Sequence, residues 1–596
     1  MTERRCVHLP IRDLLDVDRG RWLVIDGYED EPAAFGVPPF IGFHVRYICG
    51  VLAEHGCDVT YVTIDALRPI EGSSPFLGYD GIVVLAGAVV PGKYLRGTPI
   101  SRKETEKVLR LAPRASEVLL GGWAIRMWRQ SGWTPLRPRS FMALHDVDAT
   151  LDVFLNQGVW QHARRTPEQW RRWSHLGASS PAVSNHPDLD GPLTFEVEVY
   201  QGCVRYKRGC RFCIEPKKGV PKWREVDDIL GEVRIALDAG VRHVRLGGMT
   251  DVYTYRAEGV VEMEYPRPDP EPIAALLHGL REDERLDVLH VDNANPSIMA
   301  EHPEEAELIT RTLVDTLSDG AVLSFGIESA DPEVHERNWL NCDPSQLKTA
   351  IRMVNRYGRE RGPRGLPKLL PGLNFIAGLN GENEGTYRRN LDLLGELMDE
   401  DLWLRRINLR QVEGTGFQDV DKSAFAEFKD RVRSDVDGPL LERMFPIGTV
   451  LKQVHWESHD DRIRRPSDLS SSARDPGIHG EPGVTFGRQI GAYPILIGVP
   501  YRIPLETQGD IIVTDHGARS ITGVEMALDP ATATEAQFRS VPGIGRKTAW
   551  GLISARARLA RRGFESISIE MLYEELGGQL PDLADKLFTP ARGRTD

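Results

Sequence analysis

Cys203, Cys210 and Cys213 lie on one short loop with the spacing Cys-x6-Cys-x2-Cys. Thiolates are the ligands that iron–sulfur clusters prefer. Three of them, with no fourth cysteine nearby, describe an iron–sulfur cluster in which one iron keeps an open position for a ligand that is not protein. The close pair Cys210 and Cys213 can reach neighbouring irons, and Cys203 reaches back across the loop. Arg205, Lys207, Arg208 and Arg211 flank the thiols and are expected to favour the thiolate form and to offset cluster charge. Two other readings of the same residues stay open. One is zinc, although a structural zinc site normally takes four protein ligands. His243 is the candidate fourth, but its place in a strand before Gly247-Gly248 suits a wall residue better. The other is three unrelated buried thiols.

Elements must hold that loop in place. At 596 residues the chain is long for one domain and suggests three or four. Residues 1–150 alternate short apolar strands (22–26, 58–64, 81–87, 117–120) with helical patterns (40–55, 102–111), the signature of a parallel sheet with helices on its faces. This segment reads as a Rossmann-like domain. Residues 151–192 mix Trp160, Trp170 and Trp173 with Arg164, Arg165, Arg171 and Arg172 and then turn to loop chemistry, so they read as a linker carrying a short helix. An arginine–tryptophan mixture can stack on nucleic acid, but a packed helix explains it more simply.

Regular alternation resumes over 193–420. Strands are expected at 195–200, 243–246, 287–292, 322–327, 373–377 and 405–410, with helical patterns between them. Six βα units predict a partial (βα)6 TIM-like barrel, whose functional loops follow the C-terminal ends of the strands. The overall class is therefore α/β. Residues 421–482 read as an irregular extension, 483–530 as a small β-barrel, and 531–596 as helical.

The formal net charge of −13 argues against whole-chain attraction to nucleic acid, while leaving room for a local basic face. Seven cysteines are too few and scattered for a disulfide framework, and their clustering suits metal in a reducing compartment. No apolar run approaches the roughly 20 residues that span a bilayer, and the start lacks a signal peptide's apolar core. A cytoplasmic protein is expected.

The ordered motifs YQGCVRYKRGCRFC, HVRLGGMTD, VLHVDNANP, LSFGIESADPEVHERNW and LNFIAGLNGENEGTYRRNLDLL resemble the radical S-adenosylmethionine superfamily over about 193–420. That resemblance implies a 4Fe–4S cluster on the three cysteines and S-adenosylmethionine on the free iron. It implies reductive cleavage to a 5′-deoxyadenosyl radical that takes hydrogen from a substrate, with an electron donor as partner. It also implies cofactor contacts at Gly247, Gly248, Glu328, Ser329 and Gly378, with Gly381 and Glu382 shaping a nearby loop. Glu328 has an alternative as a salt bridge to a neighbouring loop, and Asn293 and Asn295 either face substrate or turn the chain. The sequence departs twice from the family pattern, in the longer spacing between the first two cysteines and in Met249 where the family carries a glutamate. Asp251 is the candidate substitute.

The N-terminal stretch GVPPFIGFHVRYICGVLAEHGCDVTYVTID, with VLLGGWAIRM, resembles cobalamin-binding domains, although their Asp-x-His-x-x-Gly motif is absent. Cobalamin therefore stands as an open alternative. Methylthiotransferases pair similar modules but carry a second cluster, and Cys6, Cys49 and Cys57 are poorly placed to hold one; these and Cys342 read as ordinary buried thiols. Residues 483–530 faintly resemble RNA-binding TRAM barrels. EAQFRSVPGIGRKTAWGLISARAR resembles a helix-hairpin-helix, with Gly543 and Gly545 in the hairpin and Arg546 and Lys547 beside it for a nucleic-acid phosphate. Arg556, Arg558, Arg561 and Arg562 extend the expected basic patch. The module order resembles an archaeal group of radical, iron–sulfur proteins. The expected function is a radical enzyme modifying RNA, most of all tRNA. The alternatives are a cobalamin-dependent radical methyltransferase on a small molecule or peptide, and a nucleic-acid-binding protein whose cluster is structural or redox-sensing.

Overall fold

The computed structural model describes residues 20–28, 40–87, 97–412, 416–459, 471–491 and 493–589. The chain divides into two compact units. One comprises 1–30, 44–90 and 98–186, and the other 31–43, 91–97 and 187–596.

The first unit is built on a five-stranded parallel sheet in the order Asp58–Thr63, Arg21–Gly27, Gly81–Ala86, Glu117–Gly121, Ser140–Met142. Near-continuous apolar strands suit a sheet covered on both faces. Leu23, Ile25, Ile82, Val84, Val118 and Leu120 are all in its core. The helix Arg102–Leu111 starts where a capping box of Ser101 and Glu104 satisfies its first N–H groups. Gly122 stands at φ 100, and a Cβ there would strike the Ala86 carbonyl. The strand order reverses between Arg21–Gly27 and Gly81–Ala86, the kind of point at which doubly wound sheets hold ligands. Both strands lead into segments outside the described residues.

Residues 151–186, expected to be a linker, are part of this unit. Val147–Gln157 and Pro167–Ala178 are helices. Trp173 is fully buried and its indole N–H donates to Glu54. The Trp170 indole donates to the Tyr47 hydroxyl at 3.1 Å, and Trp160 stacks on Phe154 with centroids 3.9 Å apart. Arg165 bonds Asp148 at 2.6 Å and lies over the rings of Tyr47 and Trp170. Trp170 and Trp173 are core and are not platforms for bases, while Trp160 is half-buried. Trp170, Trp173, Ser174 and Gly177 recur at helical spacing on one buried face, which is what makes the segment pack.

The second unit holds the partial barrel. Thr194–Glu198, His243–Gly247 and Val288–Val291 pair in parallel. Asn293–Ala294, Ala321–Glu328, Leu369–Ala377 and Arg406–Gln411 make a second parallel sheet, and Asp292 lies between the two. The short strand Phe40–Ile41 pairs on the free side of Thr194–Glu198. The sequence pattern predicted a helix from Phe40, but the helix begins at Phe43. The Phe40 ring packs under the Arg245 guanidinium at 4.0 Å.

A closed five-stranded barrel follows, made of Val450–His459, Pro482–Gln489, Leu496–Tyr501, Gln508–His516 and Ser520–Glu525. The expectation of a barrel confined to 483–530 misses its first strand. Lys452, Gln453, His455 and Glu457 make that strand look like charged loop, although His455 and Glu457 are buried. Before it come the helices Lys422–Val432 and Gly438–Met444, joined by the π-turn Arg433–Asp437. At the C-terminal end, Glu535–Ser540 and Arg546–Arg561 are helices joined by a turn through Gly543. No helix among the described residues is long and apolar enough to cross a membrane.

Candidate functional site

The three cysteines sit on the loop that follows Tyr200–Gln201, beyond the C-terminal end of the strand Thr194–Glu198. Backbone bonds shape this loop. Cys203 N–H donates to Gly219 O, Cys213 N–H to Cys210 O, and Arg211 N–H to Asn338 O. The thiols form no disulfide. Arg205 bridges two of them, its backbone N–H reaching Cys203 Sγ and its Nη1 reaching Cys210 Sγ, each at 3.4 Å.

Burial pushes Cys203 up, Cys210 up to about 11 and Cys213 up to about 12, with Cys203 adding to the rise at Cys210 and both adding to that at Cys213. The expectation that flanking cations would favour thiolate is therefore reversed. Arg205 pulls the right way for Cys203 and Cys210, but desolvation wins. The other cations point outward. Lys207 donates to Val261 O, while Arg208 and Arg211 lie over the ring of Trp339. Three neutral, converging soft donors become thiolates when a metal binds. Among the described residues, no three His, Cys, Asp or Glu side chains gather closely enough for a single metal ion. Structural zinc takes four protein ligands and this loop offers three thiols, so the donor set fits a cluster better than zinc.

Glu328 ends the strand Ala321–Glu328 after a bulge, at φ 61. A glutamate in the left-handed region costs on the order of 1–3 kcal/mol and persists where surrounding structure enforces it. Its Oε2 is buried with no partner. Burial pushes the carboxyl up to about 8 against the weaker pull of Arg410. Its charge is felt at Cys210, so it belongs to the same end of the barrel. The salt bridge offered as its alternative is not formed among the described residues. Arg410 itself is a site residue that the sequence pattern did not single out.

Gly247 ends the strand His243–Gly247 beside Thr194–Glu198, and Gly248 follows it. A Cβ on Gly248, at φ 63, would lie 2.7 Å from Glu198 Cγ, so only glycine fits this close approach. The Tyr200 hydroxyl clamps the next turn, bonding Thr250, Asp251 and Thr254 at 2.8–3.0 Å. Other predicted residues serve the frame. The Ser329 hydroxyl accepts from Asp331 N–H, and the Gly378 N–H donates to Glu382. Asn295 caps the helix Pro296–Glu301 and also receives Asn341, and Asn293 donates to Met249 O. His243 is a buried wall residue, as its strand position suggested.

Asp251, offered as a substitute for the missing glutamate, is 2% exposed. Its Oδ1 accepts from the backbone N–H groups of Tyr253 and Asn295. Through Oδ1 it ties two loops together, while its Oδ2 is buried with no partner. Burial pushes it up to about 7. Between pH 4 and 7 the folded state therefore keeps a proton that the unfolded state has released, and stability falls as pH rises through that window. Asp251→Asn is expected to preserve the fold and flatten this slope, about 1.4 kcal/mol per pH unit. Urea unfolding across that range checks it, and an unchanged slope would show that Asp251 ionises normally.

The hydroxyl of Tyr493, from the closed-barrel module, bonds Asp292 at 2.6 Å, and Asp292 lies 3.7 Å from Arg245, which pairs with Glu196. These residues stand below the Cys-loop end of the strands. Asn408 Nδ2 donates to Asn374 Oδ1 at 2.7 Å in the layer above. Cys49 and Cys342 are buried, as expected for ordinary thiols, whereas Cys57 is partly exposed. Cys6 lies outside the described residues.

In the C-terminal helices, Gly543 stands at φ 88, and a Cβ on Gly545 would meet nothing within 4 Å. Gly545 thus leaves the N-terminus of Arg546–Arg561 uncovered, with no acid in its first turn. The basic patch is smaller than expected. Arg558 and Arg562 pair with Glu575, Arg556 caps the carbonyls of Pro530 and Ala533, and Arg546 lies 3.8 Å from Glu535.

The Radical SAM superfamily model matches residues 197–394. An uncharacterized protein of Methanocaldococcus jannaschii is 35% identical over 529 residues, covering 85% of this chain and 93% of its own. A tRNA-2-methylthio-N(6)-dimethylallyladenosine synthase of Sorangium cellulosum is 25% identical over 302 residues, 47% of this chain and 52% of its own. Among solved structures, the radical S-adenosylmethionine methyltransferase TsrM of Kitasatospora setae aligns at TM-score 0.43 and 12% identity, over 65% of this chain and 72% of that one. Matched sequence, parallel partial barrel and converging thiols coincide on the same residues, and the chain belongs to the radical S-adenosylmethionine superfamily as an enzyme whose cofactors are a 4Fe–4S cluster and S-adenosylmethionine.

Proposed function

We propose that this enzyme modifies RNA, most of all tRNA, by radical chemistry. One observation supports the radical site: Cys210 feels the charge of the buried, strained Glu328, whose Oε2 has no partner, at one end of a parallel barrel. Cys203, Cys210 and Cys213 would hold the cluster. When bound, cluster and S-adenosylmethionine supply a one-electron cleavage that delivers a 5′-deoxyadenosyl radical. The chain's own residues bind and exclude. Gly248 takes a left-handed turn packed on Glu198 and so sets the course of the loop that leads to Thr250. Glu328, kept mostly protonated at neutrality by burial, offers a bound ligand a hydrogen-bond donor. Tyr493 and Arg245 fill the barrel below and keep water out from that end.

The RNA reading is supported by the open helix terminus at Gly545 with Arg546 and Lys547, and by a relative whose name is that of a tRNA-modifying synthase. Changing both Arg546 and Lys547 to glutamate is expected to weaken tRNA binding about tenfold or more and to flatten its salt dependence. Filter binding at two salt concentrations measures this, and unchanged affinity would remove the C-terminal helices from the reading. Mass spectrometry of tRNA nucleosides from cells lacking the gene tests the substrate. A complete set of modifications would overturn it.

The strand order of the first unit, with its reversal beside Gly27, favours a second reading as a cobalamin-dependent radical methyltransferase. The test is corrinoid absorbance in protein purified from cells supplied with cobalamin. Protein that stays colourless apart from iron–sulfur absorbance would end it.

A further inference from the structure

A cavity of about 80 Å³ lies at the opposite end of the strands from the cysteine loop. Three modules of the second unit close around it: the start of the strand Arg406–Gln411, the helix Gly438–Met444, and the closed barrel. Its polar lining is Arg405, Arg406, Asp437, Arg488, Tyr493 and Arg519. We propose that this pocket binds an oxyanion of the phosphate type.

Charge comes first. Four guanidinium groups face one lining carboxylate in a chain that is acidic overall. Glu457 lies 3.7 Å from Arg488 and Arg406 lies over the Tyr493 ring, so the charge argument rests on Arg405 and Arg519. Like charges gathered in a semi-enclosed site repel one another, and the cost is offset when an anion joins them.

Hydrogen bonding comes second. Arg405 Nη2 donates to Tyr493 O at 2.9 Å, but its Nε is sealed from solvent with no partner. Burial, with Arg406 and Arg519 nearby, holds this guanidinium below its usual range, at about 10, so it stays charged at neutral pH. A buried N–H on a charged group that lacks an acceptor is costly. A phosphate oxygen is the acceptor that guanidinium geometry matches best, because the planar fork offers paired donors.

Shape comes third. A water needs roughly 10–15 Å³ of such space, so the cavity has room for several waters or one small oxyanion. Asp437 closes the π-turn Arg433–Asp437, a local irregularity frequent at functional sites. Arg519 is exposed in the turn between Gln508–His516 and Ser520–Glu525, where it guards the mouth. All four cations are arginine and none is lysine, which suits oriented recognition rather than diffuse attraction.

The chemistry fits a free phosphate or a phosphodiester of an RNA strand. The second source rests on the RNA reading above, and the first does not. The test uses the full chain, with inorganic phosphate and a short single-stranded RNA as separate probes in calorimetry. Arg519→Gln is the main variant because that side chain is exposed and its loss should spare the fold. Arg405→Gln is the second. Each is expected to weaken the bound probe roughly ten- to a hundredfold, the worth of one charge-assisted hydrogen bond. Loss confined to phosphate assigns a free anion, and loss confined to RNA assigns the nucleic-acid backbone. If Arg519→Gln changes binding of neither probe, the proposal is overturned. Dithionite-driven formation of 5′-deoxyadenosine by Arg519→Gln reports the radical reading separately, since this residue lies far from the cysteine loop in sequence and module.

Discussion

Cys210→Ser is expected to strip the protein of most of its iron and to lower 5′-deoxyadenosine formation on the order of 10³-fold, roughly 4 kcal/mol of transition-state stabilisation. The reason lies in the donor set. Cys210 receives Arg205 Nη1 and feels the charge of Glu328, so it stands at the centre of the site. A serine hydroxyl is a harder, far less acidic donor than a thiol, and in a buried loop that already pushes thiols up it has no route to an anion. Iron content per chain and visible absorbance after anaerobic reconstitution measure the loss independently of turnover. Cys57→Ser, in the other unit, is the control and should keep full iron. A Cys210→Ser protein with undiminished iron would remove this residue from the ligand set.

Arg224→Leu should destabilise the fold by about 3–5 kcal/mol. The Arg224 side chain is 1% exposed and directly follows the strand Lys222–Trp223 that closes the cysteine loop. Its Nε and Nη2 grip both oxygens of Asp228 at 2.8 and 2.9 Å, while its Nη1 bonds Glu232 and the carbonyl of Glu198. One cation thus joins the first core strand to the helix Val226–Asp238, on which both carboxylates stand. Leucine fills much of the space but leaves two carboxylates desolvated beside each other. Arg224→Lys should recover part of the loss, keeping the charge while giving up the two-pronged bond. Urea denaturation of the three proteins reads the series. A shift below about 1 kcal/mol for leucine would mean that the carboxylates reach water.

The arginines beside the cysteine loop show how a sequence can be right about composition and wrong about consequence. Their number suggested an electrostatic push toward thiolate. In the fold most of that charge is turned outward, with Arg208 and Arg211 over the half-exposed Trp339, and burial decides the state of the thiols. The C-terminal basic run behaves alike. Glu575 lies thirteen residues or more along the chain from Arg558 and Arg562, yet it pairs with both and offsets one of their two charges.

What the sequence determined by itself was local. Apolar periodicity placed the core strands at 194–198, 243–247, 288–291, 321–328, 369–377 and 406–411 to within a few residues, because side-chain alternation and helical spacing are properties of short windows. Cysteine spacing and paired glycines marked the loops after those strands for the same reason. Tertiary structure alone decided which distant residues meet. It carried Val450–His459 into a closed barrel with strands that begin at Pro482 and Gln508, and it buried Trp170 and Trp173. It also forced Glu328 into a left-handed turn without a partner and brought Tyr493 to Asp292, 201 residues away. Pairings of that span follow from packing, and no window of neighbouring residues encodes them.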